Sequence, residues 1–199
     1  MLLPGILASG ITGNLITNNF TSIATATVTS GGSSTITFSS IPSTYTHLQV
    51  RGFWQSNRTD YGVDDAFLTI NGDTTGANYY VHWLYGDGSS AYGASTANDT
   101  RGIDIGLTTL GTQAGNGSTA GWGSFVMDIL DYANVNKNKT FRVLGGNDFN
   151  GTGVGGLGGR VGLTSGLWAQ TTAVNSLTFT AYSPRVFNQY SQFALYGVK

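Results

Sequence analysis

Chemistry needs groups that move protons, hold metals or attack carbon, and this sequence is short of all three. Its only imidazoles are His47 and His82, it has no cysteine, and every one of its carboxylic side chains is an aspartate. A zinc site would have to complete those two histidines with aspartates alone. Asp60, Asp64 and Asp65 gather in one short stretch. Such oxygen-rich loops can serve a hard cation such as calcium, although the EF-hand spacing is absent and the residues leave calcium binding there open. A paired-carboxylate glycosidase would draw on Asp60, Asp64, Asp128 or Asp131, and no spacing selects a pair. There is no G-x-S-x-G elbow. Gly153-Val154-Gly155-Gly156-Leu157-Gly158 satisfies the G-x-G-x-x-G template, but Arg160-Val161-Gly162-Leu163 follows where a helix is required. No acid occurs beyond Asp148, so the dinucleotide fingerprint lacks its context. The expectation is a protein without catalytic residues, metal or cofactor, and not an enzyme. A glycan-degrading enzyme on a β scaffold is the remaining alternative of that class.

The aromatic residues offer a different kind of chemistry. Trp54, Tyr61, Tyr79, Tyr80, Trp83 and Tyr85 crowd the first half of the chain. Tyr and Trp set on strands either fill a core or face outward, where they stack on sugar rings or anchor an interface. They are therefore candidate glycan or interface residues. Charge is sparse: 10% of residues, against roughly 25% in ordinary globular proteins. The net charge is −1 and the first charged side chain is Arg51. Little repulsion separates copies, which favours association, and no basic patch exists to neutralise phosphates, so nucleic acid is not an expected partner.

The elements that position these residues read as strands. ATATVTS (24–30) and STITFSSI (34–41) flank Gly31-Gly32, which predicts a hairpin, and AFLTI (66–70) runs into Asn71-Gly72-Asp73, which predicts another. HLQVRGFW (47–54) alternates, with Leu48, Val50 and Trp54 on one side. FVMDILDYA is compatible with a helix by its apolar spacing as well as with a strand. The closing SQFALYGV reads as a strand with Phe193 and Leu195 inward. About ten strands with turn signals at roughly 8–12 residue spacing predict an all-β fold, a two-sheet jelly-roll-like β-sandwich. Residues 21–199 form one domain in this reading. Residues 1–20 form an extended apolar arm, since MLLPGILASGITGNLI lacks the charged n-region of a signal peptide and is broken by Pro4 and Gly5. It is too short to cross a bilayer, so no membrane insertion is expected. Leu2, Leu3, Ile6, Leu7 and Ile11 are candidate assembly contacts, because an apolar arm left in water is an aggregation hazard.

Four stretches carry a family likeness. MLLPGILASGITGNL, TVTSGGSSTITFSSIPSTYTHLQVRG (27–52), FVMDILDYANVNKNKT (125–140) and the closing QFALYGVK resemble small virion structural proteins of tailed bacteriophages, of the cyanophage and marine phage type. The resemblance implies a protein located on the virion and assembled in the bacterial host cytoplasm. It would be an outer capsid decoration or a tail or fibre component, acting through contacts with other virion proteins and with copies of itself, a trimer being the expected oligomer. The alternative it leaves is a receptor- or glycan-binding module at a fibre tip, with a host surface glycan as partner.

Overall fold

The computed structural model describes residues 19–58, 63–105, 110–111, 121–147 and 159–199. The first strands in chain order are β1 (Phe20–Thr27), β2 (Thr35–Phe38), β3 (His47–Ser56), β4 (Ala66–Ile70), β5 (Tyr79–Gly86) and β6 (Ala91–Ala97). They are followed by β7 (Ile103–Asp104), β8 (Leu110–Gly111), β9 (Gly123–Leu130), β10 (Lys139–Asn147), β11 (Arg160–Trp168), β12 (Leu177–Ala181) and β13 (Gln192–Val198). The only helical turn among the described residues is a 3₁₀ segment, Gly76–Asn78. A large sheet runs β1-β13-β3-β9-β10-β11-β5-β6, with β8 added in parallel at the end of β3, and a small sheet runs β2-β12-β4-β7. All other pairings are antiparallel. The fold is the expected all-β, two-sheet sandwich, with more and shorter strands than the turn spacing suggested.

Alternation decides which side chains fill the space between the sheets. Leu48, Val50 and Trp54 of β3 point inward and are fully buried, as do Phe193 and Leu195 of β13. From the small sheet Phe179, Leu68 and Ile70 meet them. The β13 strand lies inside the large sheet, bonded to β1 on one side and β3 on the other. Segment 123–130 is strand and not helix: Phe125, Met127 and Ile129 are buried while Ser124, Val126 and Leu130 are exposed. Pairing with β3 and β10 on both sides supplies hydrogen bonds that outweigh its weak helical spacing.

Two predicted hairpins are corrected. Gly31 and Gly32 do turn the chain, both at positive φ. However, β1 joins the large sheet and β2 the small one, so the turn is a corner between layers. A Cβ on Gly32 would lie 2.9 Å from the Phe187 carbonyl oxygen, a packing constraint that a free hairpin tip would lack. The Asn71-Gly72 turn also forms, with φ of 52° and 69° and the Asp73 N–H bonded to the Ile70 carbonyl at 2.8 Å. Again the strands it joins, β4 and β5, belong to different sheets.

Asp73 explains the diversion. Its carboxylate accepts hydrogen bonds from the Thr75 N–H at 2.8 Å, Asn78 Nδ2 at 2.7 Å and Trp168 Nε1 at 2.7 Å. Its carbonyl accepts from the buried Tyr79 hydroxyl. These bonds draw the chain toward β11, where β5 then pairs. Burial pushes the Asp73 carboxyl up, but the Trp168, Thr75 and Asn78 donors outweigh it and hold the group below its ordinary value. The native state thus takes up the proton less readily than the unfolded chain. Its contribution is complete above about pH 4 and is lost as pH falls below that. Asp73→Asn is expected to lower the urea midpoint at neutral pH, with the gap to the parent protein narrowing near about pH 3.

Candidate functional site

The six aromatic candidates separate once their strands are placed. Trp54 and Tyr79 are fully buried. Trp54 packs edge-on against Phe187 at 5.1 Å. The Tyr79 hydroxyl donates to the Asp73 carbonyl and accepts from the Ile70 N–H, and burial pushes its pKa up to about 12. Both are structural, which corrects the expectation that they form a binding surface: in-register alternation aims them at the core. Tyr80 projects from the opposite side of the large sheet. Trp83 and Tyr85 face the inner side near the edge, where they form a ladder with Tyr92. The Trp83 and Tyr85 rings stack at 5.5 Å and Tyr85 and Tyr92 at 4.9 Å, with the Arg160 guanidinium 4.7 Å from the Tyr85 ring. The small sheet is too narrow to cover this edge, and every residue of β6 is exposed. The rings stack on one another and so stiffen the overhanging β5–β6 hairpin. Tyr61 and the arm residues Leu2, Leu3, Ile6, Leu7 and Ile11 lie outside the described residues, as does the glycine run 153–158.

The outward face of the large sheet is banded. One transverse row carries Gln49, Asp128 and Arg142, opposite one another on β3, β9 and β10. They are tied by bonds of 2.8 Å from Gln49 Nε2 and 3.0 Å from Arg142 Nη2 to the Asp128 carboxylate. Two residues further along, β3 carries Arg51 opposite Val126, and from β9 onward the row is apolar. Val126, Leu144, Leu163 and Leu84 stand directly opposite one another on β9, β10, β11 and β5, all exposed, Leu144 by 57% and Leu84 by 55%. Val161, 62% exposed, extends the patch. The row ends at Gly93 of β6, an edge strand with neither charge nor proline. Natural edges are ordinarily protected by such residues. Alternation within each strand was visible beforehand, but alignment of the four apolar residues depends on the register between strands.

The small sheet presents the polar counterpart. Asp64 is fully buried and accepts a short bond from Arg185 Nη1, with Arg58 Nη1 3.7 Å away. Burial, then the neighbouring Asp64 charge, pushes the Asp65 carboxyl up, against the pull of Arg58, Arg101 and Arg185. Guanidinium groups therefore occupy the surroundings of Asp64 and Asp65, where a calcium ion would have to sit, while Asp60 lies outside the described residues. No cluster of three His or Asp side chains suited to a metal occurs among the described residues. The described candidate aspartates take different partners, Asp128 being bonded to Gln49 and Arg142. Asp131 sits beside His47 at the start of β3, its N–H donating to His47 Nδ1 at 3.0 Å, and Asp64 sits beside Arg58 past its other end. His82 is exposed on the large sheet.

Next to this cluster a cleft of about 450 Å³ opens on the outward face of β4 and β12. Thr69, Thr74, Thr100, Thr180 and Ser183 line it together with Phe67 and Ala181, and Tyr182 and Arg101 complete the lining. Asp99 holds Arg101 through Nε at 2.9 Å and Nη2 at 2.7 Å, and the guanidinium lies 4.3 Å from the Phe67 ring. Arg101 and Arg185 both flank Tyr182, at 5.6 and 5.2 Å from its ring. Asp99-Thr100-Arg101 was readable as an acid–base turn, but nothing in the sequence linked it to Tyr182 and Ser183 or to Phe67. The pairing of β12 with β4 makes that connection.

No protein-family model matches the chain, and no curated protein matches it. Among solved structures the chain is similar to the marine PL-14 alginate lyase from Aplysia kurodai, at 8% identity and a TM-score of 0.32, over 79% of this chain and 70% of that one.

Proposed function

We propose that this protein is a virion structural protein of a tailed bacteriophage, an outer capsid decoration or a tail or fibre component, that works by contact and not by catalysis. The observation that carries the reading is the apolar row Val126-Leu144-Leu163-Leu84 on the open face of the large sheet. Contiguous exposed apolar surface marks a contact site, and here it runs up to an unguarded edge strand in a chain of net charge −1. The likeness of the 27–52 and 125–140 stretches to phage virion proteins supports the same conclusion. In this reading the row is the seat of a second copy of the chain, in a homo-oligomer carried on the particle, with a trimer as the expected state.

Analytical ultracentrifugation tests it. The parent protein is expected to sediment as a concentration-dependent oligomer. Leu144→Lys combined with Leu163→Lys is expected to sediment as a monomer that still unfolds cooperatively, since both side chains are already exposed. A parent protein that stays monomeric and does not cosediment with phage particles would overturn the proposal.

A further inference from the structure

We propose that the cleft over β4 and β12 is a saccharide-binding site. Its volume of about 450 Å³ lies in the range of small-molecule sites, about 300–1,000 Å³, and accommodates one or two pyranose rings. What identifies the ligand class is the lining. Five hydroxyl-bearing side chains, Thr69, Thr74, Thr100, Thr180 and Ser183, stand among its lining residues beside the apolar Phe67, and each hydroxyl can donate and accept. Tyr182, 37% exposed, contributes an aromatic wall. Arg101 contributes a half-exposed guanidinium, two of whose five N–H donors are taken by Asp99.

Other ligand classes fit this lining poorly. A wholly apolar molecule would cover the half-exposed Arg101 guanidinium, whose donors Asp99 takes only in part, at a desolvation cost. An extended peptide adding to a sheet needs a free strand edge. The floor here is made by strands paired on both sides, β12 between β2 and β4, and β4 between β12 and β7. Their backbone groups are already used, so recognition falls to side-chain hydroxyls. A phosphate would call for several cations or a run of open backbone N–H groups, whereas the one guanidinium lining the cleft is already shared with Asp99. A pyranose meets all three features at once. It has a rim of hydroxyls to exchange bonds with the threonines, C–H surface to lie against Tyr182, and a polar substituent, neutral or carboxylate, to face Arg101.

The site also lies on the opposite side of the sandwich from the apolar row. A copy held to its neighbours through the large sheet would keep this cleft open to solvent, but sugar binding does not depend on that assembly.

Isothermal titration with methyl α-glucoside, methyl α-galactoside, N-acetylglucosamine and glucuronate, joined to a glycan array probed with the full chain, tests the inference. Binding to at least one saccharide is expected. A glucuronate preference would assign Arg101 to a carboxylate, and a neutral-sugar preference would assign it to a hydroxyl. Tyr182→Ala is expected to weaken binding about tenfold, the scale of one well-placed aromatic contact. Thr180→Val keeps the side-chain shape and the melting temperature and is expected to weaken binding several-fold, which guards against a folding artefact in the tyrosine variant. The Leu144→Lys and Leu163→Lys pair must leave sugar affinity unchanged, so the outcome is separable from that of the assembly test. No binding in any arm, or binding that survives both cleft substitutions, would overturn the assignment.

Discussion

Phe193→Ala is expected to cost about 3–5 kcal/mol of folding stability, a fall in melting temperature of roughly 10 °C or more for a domain of this size. Phe193 is fully buried and is the point at which the two sheets meet. Its ring packs edge-on against Phe179 of the small sheet at 4.9 Å, Phe125 of β9 at 5.1 Å, and Phe187 at 5.6 Å. Trp54 continues the chain of rings through Phe187. The site cannot collapse easily once the ring is gone. Beside it Gly52 brings bare backbone so close that an added Cβ would lie 2.5 Å from the Phe125 ring and 2.9 Å from that of Phe193. A rigid wall of that kind leaves an unfilled cavity, and cavity volume sets the size of the loss. Gln192→Ala, one residue away and facing outward, is expected to change stability by less than about 0.5 kcal/mol. Urea unfolding of the two variants side by side gives the comparison. Similar losses for both would mean that Phe193 does not occupy the junction of the sheets.

How far such positions could be read in advance depends on the question asked. A period of two places Leu48, Val50 and Trp54 on one side of β3, and Phe193 and Leu195 on one side of β13, and the structure buries all five. The same rule forces Tyr79 and Tyr80 apart, but it does not say which side is covered. That depends on the width of the opposing sheet, which is why Trp83 and Tyr85, on the inner side like Tyr79, are only partly buried. Turn chemistry behaves similarly. The turns at Gly31-Gly32 and Asn71-Gly72 are where the residue types put them, yet neither closes a hairpin, because local φ preferences reverse a chain without choosing its next partner. For the 70–79 segment that choice falls to Asp73 and its bonds to Trp168 and Asn78. The cleft was the least legible feature. Its residues come from the β4 strand, Thr74 in the turn that follows it, the turn at 99–101 and the 180–183 segment. They meet only through pairing of strands far apart in sequence, and their types, threonine most often, carry no signal of their own.

Arg185→Met is the second substitution expected to act strongly, with a loss of about 3 kcal/mol, at the lower end for breaking a buried ion pair. Asp64 has no solvent exposure, and Arg185 and Arg58 are themselves mostly covered, at 20% and 17% side-chain exposure. Taking away Arg185 removes the nearer cation from a buried carboxylate whose other partners include the Asp65 N–H at 3.0 Å and Arg58 at 3.7 Å. Arg58 is also engaged with the Val63 carbonyl at 2.8 Å. The penalty comes from a buried charge that loses its nearer cation and not from lost attraction alone, so a second change should reverse most of it. With Asp64→Leu added, the double variant is expected to return to within about 1 kcal/mol of the parent protein, as when apolar residues replace a whole buried pair. Losing the Asp64 charge also removes one of the two influences that push the Asp65 carboxyl up, which works in the same direction. Unfolding of the four proteins as a double-mutant cycle measures the coupling. If the two losses simply add, Asp64 and Arg185 are not a pair, and the wall that Arg185 gives to Tyr182 has some other support. If they cancel, the double variant becomes a folded protein without that guanidinium beside Tyr182. Sugar titration of that protein then separates what Arg185 does for the fold from what it does for the cleft.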